Sequence, residues 1–292
     1  MKLHTINTEL FKLDGGAMFG VVPKSIWNKL NPADANNLCT WAMRLLLVED
    51  GDKLILIDTG IGNKQDAKFF GHYYLHGNDT LEKSLLAKGF CMEDITDVIL
   101  THLHFDHCGG AIERKGDTLI PAFKNAVYWS NEAHWLWATQ PNEREKASFL
   151  KENILPMQQS GQLQFIDTPS NGVEDTGKLG TARFNDNISL RLVNGHTDSM
   201  MLPEITYNGK TIVYMADLLP STGHIPLPYV MAYDMFPLTT LREKKAFLQE
   251  AADNDYVLFF EHDPLNECCT LQQTEKGIRP KHVFPLTELV GH

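Results

Sequence analysis

Three histidines and an aspartate fall within six positions of the stretch Thr101-His102-Leu103-His104-Phe105-Asp106-His107-Cys108-Gly109-Gly110. The chain holds only 12 histidines in 292 residues, so the crowding is itself a signal. Imidazole and carboxylate together form the ligand set of zinc, iron, manganese, cobalt and nickel sites. In extended chain alternate side chains share a face, so His102 and His104 can grip one ion while Asp106 and His107 turn past it toward a second. Gly109-Gly110 lets the backbone turn tightly behind the cluster and start a helix. The apolar run Val98-Ile99-Leu100 must be the strand that delivers it, reading as Asp97 to Thr101.

Further metal-competent residues stand at the ends of other predicted strands. Ile188 to Val193 ends at Asn194-Gly195-His196, Lys210 to Met215 at Ala216-Asp217, and Tyr256 to Phe260 at Glu261-His262-Asp263. A ligand held by a rigid element is what a metal site requires. Five histidines and two carboxylates suffice for two ions. His102, His104 and His196 take one, Asp106, His107 and His262 the other, with Asp217 between. Two divalent ions, zinc before iron, manganese, cobalt or nickel, would bring the pKa of bound water to about 7 and hold a hydroxide poised to attack an ester carbonyl or a phosphotriester phosphorus. Asp106 is the candidate to carry the proton from nucleophile to leaving alkoxide. Asp58, at the end of the run Lys53 to Ile57, is placed to orient a ligand histidine. Cys108 abuts the cluster and reads as a small packing residue.

The remaining elements read as a frame for these ends. Leu3 to Val22 suggests two short strands around Asp14-Gly15-Gly16. Trp41 to Val48 and Lys53 to Ile57 flank Asp50-Gly51, and Leu202 to Tyr207 and Lys210 to Met215 flank Asn208-Gly209, both strong hairpin signals. Helices are predicted over Asp79 to Lys88, from a Ser130 cap through Trp135 and Trp137, and from about Asn142 to Leu155. Another runs from the capping box Thr240-Leu241-Arg242-Glu243 to about Asn254. Val127 to Trp129 and Gln162 to Ile166 are strand-like, Pro169 to Gly180 is turn-rich, and the tail adds one or two short edge elements. Hairpin, strand and acid recur in both halves, so two related β-rich halves with outer helices are expected.

Bulk properties narrow the partners. A net charge of −11 with no Lys/Arg stripe excludes a nucleic-acid footprint. No apolar window is long enough to span a membrane, and the N-terminus lacks the apolar core of a signal peptide. Five cysteines without framework spacing, including the adjacent Cys268 and Cys269, fit a reducing cytoplasm. One domain over residues 1–292 is expected, with the loop at 23–37 as an arm for a homodimer.

The run His102-Leu103-His104-Phe105-Asp106-His107 resembles the H-x-H-x-D-H signature of the metallo-β-lactamase superfamily. Asp58-Thr59-Gly60, Gly195-His196, Asp217 and His262 follow in that family's order, so the resemblance covers about Trp41 to Asp263. It implies an α+β fold, an αββα four-layer sandwich of two face-to-face sheets with helices outside, and a dinuclear site at one edge. Asp217 stands where zinc β-lactamases carry cysteine, and His104 where flavodiiron proteins carry glutamate. The short segment after His262 leaves no room for the glyoxalase II substrate domain, and no tRNA-binding arm of the RNase Z branch is evident.

Within the superfamily the chain most resembles the branch of N-acyl-homoserine lactonases (quorum-quenching enzymes) and methyl parathion hydrolase, a likeness carried also by Leu13 to Pro23. The expected activity is hydrolysis of a lactone or related ester, with an organophosphate triester or aryl ester as the enzymatic alternative and a non-catalytic metal sensor or scaffold as the other. Some lactonases place a substrate-binding tyrosine where this chain has Pro220; His224, Tyr229 or Tyr233 can replace it. Met18, Phe19, Phe69, Phe70, Tyr73, Phe105 and Tyr229 are candidates for an apolar substrate pocket.

Overall fold

The computed structural model describes residues 1–168 and 180–290, which form two compact units. Residues 1–9 and 43–168 make the first, and residues 10–42 with the described part of 169–292 the second. Each carries a mixed sheet with helices, the α+β class expected. The turn-rich reading of Pro169 to Gly180 falls almost wholly outside the described residues.

In the first unit six strands run in the order Lys2–Asn7, Arg44–Asp50, Lys53–Ile57, Asp97–Ile99, Val127–Ser130 and Leu163–Phe165. The first three are antiparallel, and the expected hairpin pairs Asp50 with Lys53 around Gly51 at φ +64°. The last four are mutually parallel, so their C-terminal ends share one edge. Leu45, Leu47, Leu54, Leu56, Val98 and Tyr128 fill the core beneath that edge. Asp58 follows Ile57, His102 stands three residues beyond Ile99, and Asn131 follows Ser130. Parallel strands thus converge their chemistry on the edge where such sheets bind ligands.

Seven strands form the sheet of the second unit: Thr181–Arg183, Ile188–Val193, Met200–Tyr207, Lys210–Tyr214, Val257–Phe259, Cys268–Thr274 and Gly277–Phe284. Asn208 and Gly209 take φ +50° and +77° in the predicted hairpin, the positive values a tight turn needs. Ile188–Val193, Lys210–Tyr214 and Val257–Phe259 run in one sense. His196, Asp217 and His262 each stand three residues beyond the ends of these strands, at the same edge.

Several local readings are corrected. After Asp14 the chain forms a helix, Gly15–Phe19, because the Asp14 carboxylate accepts from the Ala17 N–H and caps it. Asn131 rather than Ser130 caps the helix Glu132–Thr139, accepting from the His134 N–H. The helix placed from Asn142 to Leu155 is Lys151–Gln159, with Pro156 inside it; Asn142 instead closes a separate turn by accepting from the N–H groups of Arg144 and Glu145. The capping box at Thr240 does not open its helix, which is Pro237–Asp253 with proline in the first turn. The tail builds a full hairpin, Cys268–Thr274 with Gly277–Phe284, and buries Cys268 and Cys269. Among the described residues no helix is long and apolar enough to cross a membrane.

Gly109 and Gly110 open a helical turn, Gly109–Ala111, as expected, and serve a further purpose. Neither has a positive φ; Gly109 is helical at φ −60°. A Cβ on Gly109 would lie 2.1 Å from the Ile61 carbonyl oxygen, and one on Gly110 2.2 Å from that of Thr59. The glycines are there so that the backbone behind the histidine cluster can press against the Asp58 turn. Gly109→Ala should therefore destabilise by about 2 kcal/mol or more through overpacking. Gly116→Ala, strained by φ +61° but with no atom within 4 Å, should cost about 1 kcal/mol. Urea unfolding of both variants checks the order, and equal costs would refute the packing account.

Candidate metal centre

In the first unit the Asp58 carboxylate organises the cluster. Asp58 is fully buried with φ +59°, a conformation aspartate tolerates better than most residues. Its Oδ1 accepts from the Thr101 N–H at 2.8 Å, and its Oδ2 accepts from Thr101 Oγ1 at 2.7 Å and from His107 Nδ1 at 3.1 Å. The next residue completes the grip, since the N–H and hydroxyl of Thr59 both donate to the His107 carbonyl. Because the Thr101 hydroxyl proton goes to Asp58, its oxygen accepts from His102 Nδ1 at 3.1 Å. His104 donates through Nε2 to Glu145 at 2.9 Å. Glu145 is buried and also accepts from Trp137 Nε1 at 2.6 Å and from Asn142. His134 Nε2 accepts from the Leu103 N–H at 2.9 Å and fixes the backbone between His102 and His104.

The second unit repeats this logic on different residues. His196 Nδ1 donates to Asp234 at 2.9 Å, and His262 Nδ1 donates to the Ala42 carbonyl at 2.8 Å. The two oxygens of Asp217 face two different rings, Oδ2 lying 3.1 Å from His196 Nε2 and Oδ1 3.1 Å from His262 Nε2. The loop before His196 is clamped as well. The Glu243 carboxylate accepts from the N–H groups of Asn194 and Gly195 at 2.7 and 2.9 Å. Burial pushes the Glu243 carboxyl up to about 7, against the pull of those two donors. Gly195 is required there, since a Cβ would meet the backbone of Thr240 at 2.3 Å.

Whether these residues fit a metal can be judged from their protons. A neutral imidazole carries one proton, and in all five histidines a hydroxyl, carboxylate or carbonyl takes it. The other nitrogen presents a lone pair: Nε2 of His102, His107, His196 and His262, and Nδ1 of His104. His102 Nε2 and His104 Nδ1 stand only 3.0 Å apart, and the lone pairs of His196 and His262 face a carboxylate. Electron pairs facing one another in a buried place are what a cation resolves, and a ligand histidine giving its second N–H to a carboxylate or carbonyl is the usual arrangement. The donor set fits divalent metal. Without one a proton takes the position: burial lowers the pKa of His196, but Asp217 and Asp234 outweigh it and hold the ring up to about 10. His102, His104, Asp106 and His107 in the first unit and His196, Asp217 and His262 in the second are thus candidate metal-binding groups.

The other candidates divide. Asp106 lies at the start of the short helix Phe105–Cys108, with Oδ2 3.9 Å from His107 Nε2. Cys108 is buried with Sγ 3.3 Å from the Leu103 carbonyl, and burial pushes its thiol up to about 12, so it packs. Phe105 meets Tyr73 and Phe69, with centroids at 4.7 and 5.4 Å. Met18 and Phe19 are buried. His224 stacks on Phe19 at 4.6 Å, and both its nitrogens are committed, to Ser221 Oγ and the Met18 carbonyl. Tyr229 is half-buried. Reading the sequence missed Glu145, Asp234, Glu243 and His134. Nothing local marks them, for each looks like an ordinary polar residue of a turn or helix.

Known proteins identify the family. The family model of the metallo-beta-lactamase superfamily matches residues 45–262. A search of curated proteins finds no match. Among solved structures the chain is similar to a probable metal-dependent hydrolase from Staphylococcus aureus, at 26% identity and a TM-score of 0.84 over 97% of this chain and 95% of that one. It is also similar to AidC, a dizinc quorum-quenching lactonase solved with its product, at 22% identity and a TM-score of 0.76 over 97% and 95%. The hydrolase AbOPH of the beta lactamase superfamily is similar at 19% and 0.72 over 97% and 94%. With its family model spanning the signature and every later candidate ligand, the chain belongs to the metallo-beta-lactamase superfamily of hydrolases.

Proposed function

We infer that the chain is a metal-dependent hydrolase of lactones or related esters, acting on small molecules in the way of the N-acyl-homoserine lactonases. One observation carries the reading: five histidines each lock one ring nitrogen and present the other, in segments that follow strand ends and also bear Asp106 and Asp217. Solved lactonases among the structural neighbours support the substrate class. In this reading His102, His104 and His196 hold one divalent ion, Asp106, His107 and His262 a second, and Asp217 both, with zinc the first candidate. Bound ions would supply a water ionised near neutral pH and a charge that polarises the substrate carbonyl.

The chain's own residues do the rest. An Asp106 carboxylate oxygen accepts the proton released at attack and returns it to the departing alkoxide. Asp58 is a positioning residue, holding the His107 ring and, through Thr101, the His102 ring. Tyr229 is the candidate hydrogen-bond partner for the lactone in place of the tyrosine replaced by Pro220, since His224 has both nitrogens engaged. Phe105 with Tyr73 and Phe69 offers an apolar surface for an acyl group.

Zinc-loaded protein should open long-chain N-acyl-homoserine lactones with kcat/KM above about 10⁴ M⁻¹s⁻¹ and lose this on chelation. No lactone turnover beside rapid cleavage of a nitrophenyl phosphotriester would move the reading to organophosphates; no turnover of either would favour a binding role. Elemental analysis should find two metals per chain, and well under two in folded protein would refute the dinuclear assignment. Glu145→Gln and Asp234→Asn should each weaken zinc binding about 10- to 100-fold in chelator competition, with unchanged circular dichroism. Unaltered affinity would remove their positioning role. Since protons compete for the same ring nitrogens, zinc affinity of the unaltered chain should rise with pH across neutrality, and a flat profile would count against histidine ligation.

A further inference from the structure

Next to Glu243, the helix Pro237–Asp253 buries a second charged residue that the ligand set does not use. Lys244 is 1% exposed, and its ammonium donates to backbone carbonyls alone among its hydrogen bonds: Tyr229 at 2.7 Å, His224 at 2.8 Å, Pro226 at 3.3 Å and Leu227 at 3.4 Å. Four carbonyl dipoles converging on one buried point repel one another unless a cation stands among them. Backbone carbonyls arranged so are how proteins hold a dehydrated monovalent cation.

The same segment is fastened on its other side to the helix Gly15–Phe19. The His224 ring donates through Nε2 to the Met18 carbonyl at 2.9 Å, and the Ala232 N–H donates to the Ala17 carbonyl at 2.8 Å. Gly20 admits the Val230 carbonyl, which would stand 2.3 Å from a Cβ there. Between these fastenings Lys244 holds the carbonyls of His224, Leu227 and Tyr229 turned inward, while that of Pro226 also accepts from the Tyr229 N–H at 2.9 Å. The segment connects Asp217 to Asp234 and carries Tyr229.

We propose that Lys244 is a positioning residue whose ammonium serves as a built-in monovalent cation, holding the 224–229 carbonyls convergent and thereby setting Tyr229 for the acyl substrate. The substrate half rests on the hydrolase reading above; the cage half does not. An alkyl chain of the same length fills the same space but leaves the carbonyls facing one another, so charge and not volume is the contribution. A cage emptied by Lys244→Ala should therefore accept a small cation from solution.

The test uses zinc-loaded Lys244→Ala and Lys244→Met in tetramethylammonium chloride, which is too large for the cage. Amide exchange over residues 225–232 should speed by about tenfold or more, the scale of one lost charge-assisted hydrogen bond, and KM for an acyl lactone should rise more than kcat falls. Potassium, ammonium or methylammonium chloride at equal ionic strength should restore protection and KM in Lys244→Ala, and less so in Lys244→Met, whose side chain occupies the cage. Equal recovery in tetramethylammonium, or none in any salt, overturns the cage. Restored protection with an unmoved KM overturns the positioning role. A wild-type chain that turns over no lactone fails the hydrolase reading instead, and the exchange data still decide the cage. Should both variants fail to fold, ¹⁵N-lysine spectra of the unaltered protein decide. One slowly exchanging ammonium resonance supports the cage, and its absence overturns it.

Discussion

An imidazole can lend a lone pair to a cation only when its single proton is held elsewhere, and everything around the histidine cluster answers to that constraint. Thr101, Glu145 and Asp58 take the protons of His102, His104 and His107, while Asp234 and the Ala42 carbonyl take those of His196 and His262. Each acceptor must itself be fixed, which explains the buried chains of hydrogen bonds behind them. Asp58 reaches His102 only by first engaging the Thr101 hydroxyl, and Glu145 is steadied by Trp137 and Asn142. A buried polar network of this kind is stabilising only when every member is satisfied. The cost of assembling it is therefore good reason to regard it as functional.

Strand ends supply the precision. His102, His196, Asp217 and His262 each stand three residues beyond the last residue of a strand, close enough to inherit its rigidity. The loop beyond each strand then needs support from outside the sheet. In the second unit the helix Pro237–Asp253 provides it with two neighbouring ionisable side chains, one an acid and one a base. Glu243 holds backbone N–H groups before His196, and Lys244 holds carbonyls of the segment after Asp217. Both groups are buried, and both are satisfied by main chain rather than by each other, so the helix acts as a clamp on two loops at once.

Burial keeps two reactive groups out of the chemistry, one in each unit. The Cys108 thiol is pushed up to about 12, which leaves it protonated at neutral pH. His224 has its pKa lowered by burial to about 4 and both nitrogens bonded, so it is a neutral packing ring between Phe19 and Ser221. Burial alone would lower His196 too; the Asp217 and Asp234 carboxylates are what set it apart. Sorting ligands from packing residues is thus a matter of which carboxylates share their surroundings.

The candidate metal-binding residues were legible in the chain because their signals are local. The His102 to His107 spacing, the apolar runs ending at His196, Asp217 and His262, and the Asp50-Gly51 and Asn208-Gly209 hairpins all depend on neighbours in sequence. Residues whose partners lie far away were not legible. Glu145 is 41 residues from His104 and Asp234 38 from His196, and both look like ordinary polar loop residues until the fold places them. The Thr240 capping box misled because Glu243 is drawn to backbone N–H groups 48 and 49 residues back, a stronger demand than a cap. Gly109-Gly110 was recognised as the start of a helical turn but not for its close approach to Thr59 and Ile61, which exists only once two distant segments meet. Sequence thus determined which side chains could bind metal; tertiary structure alone decided which proton each gives up, because hydrogen-bond acceptors are chosen by proximity in space.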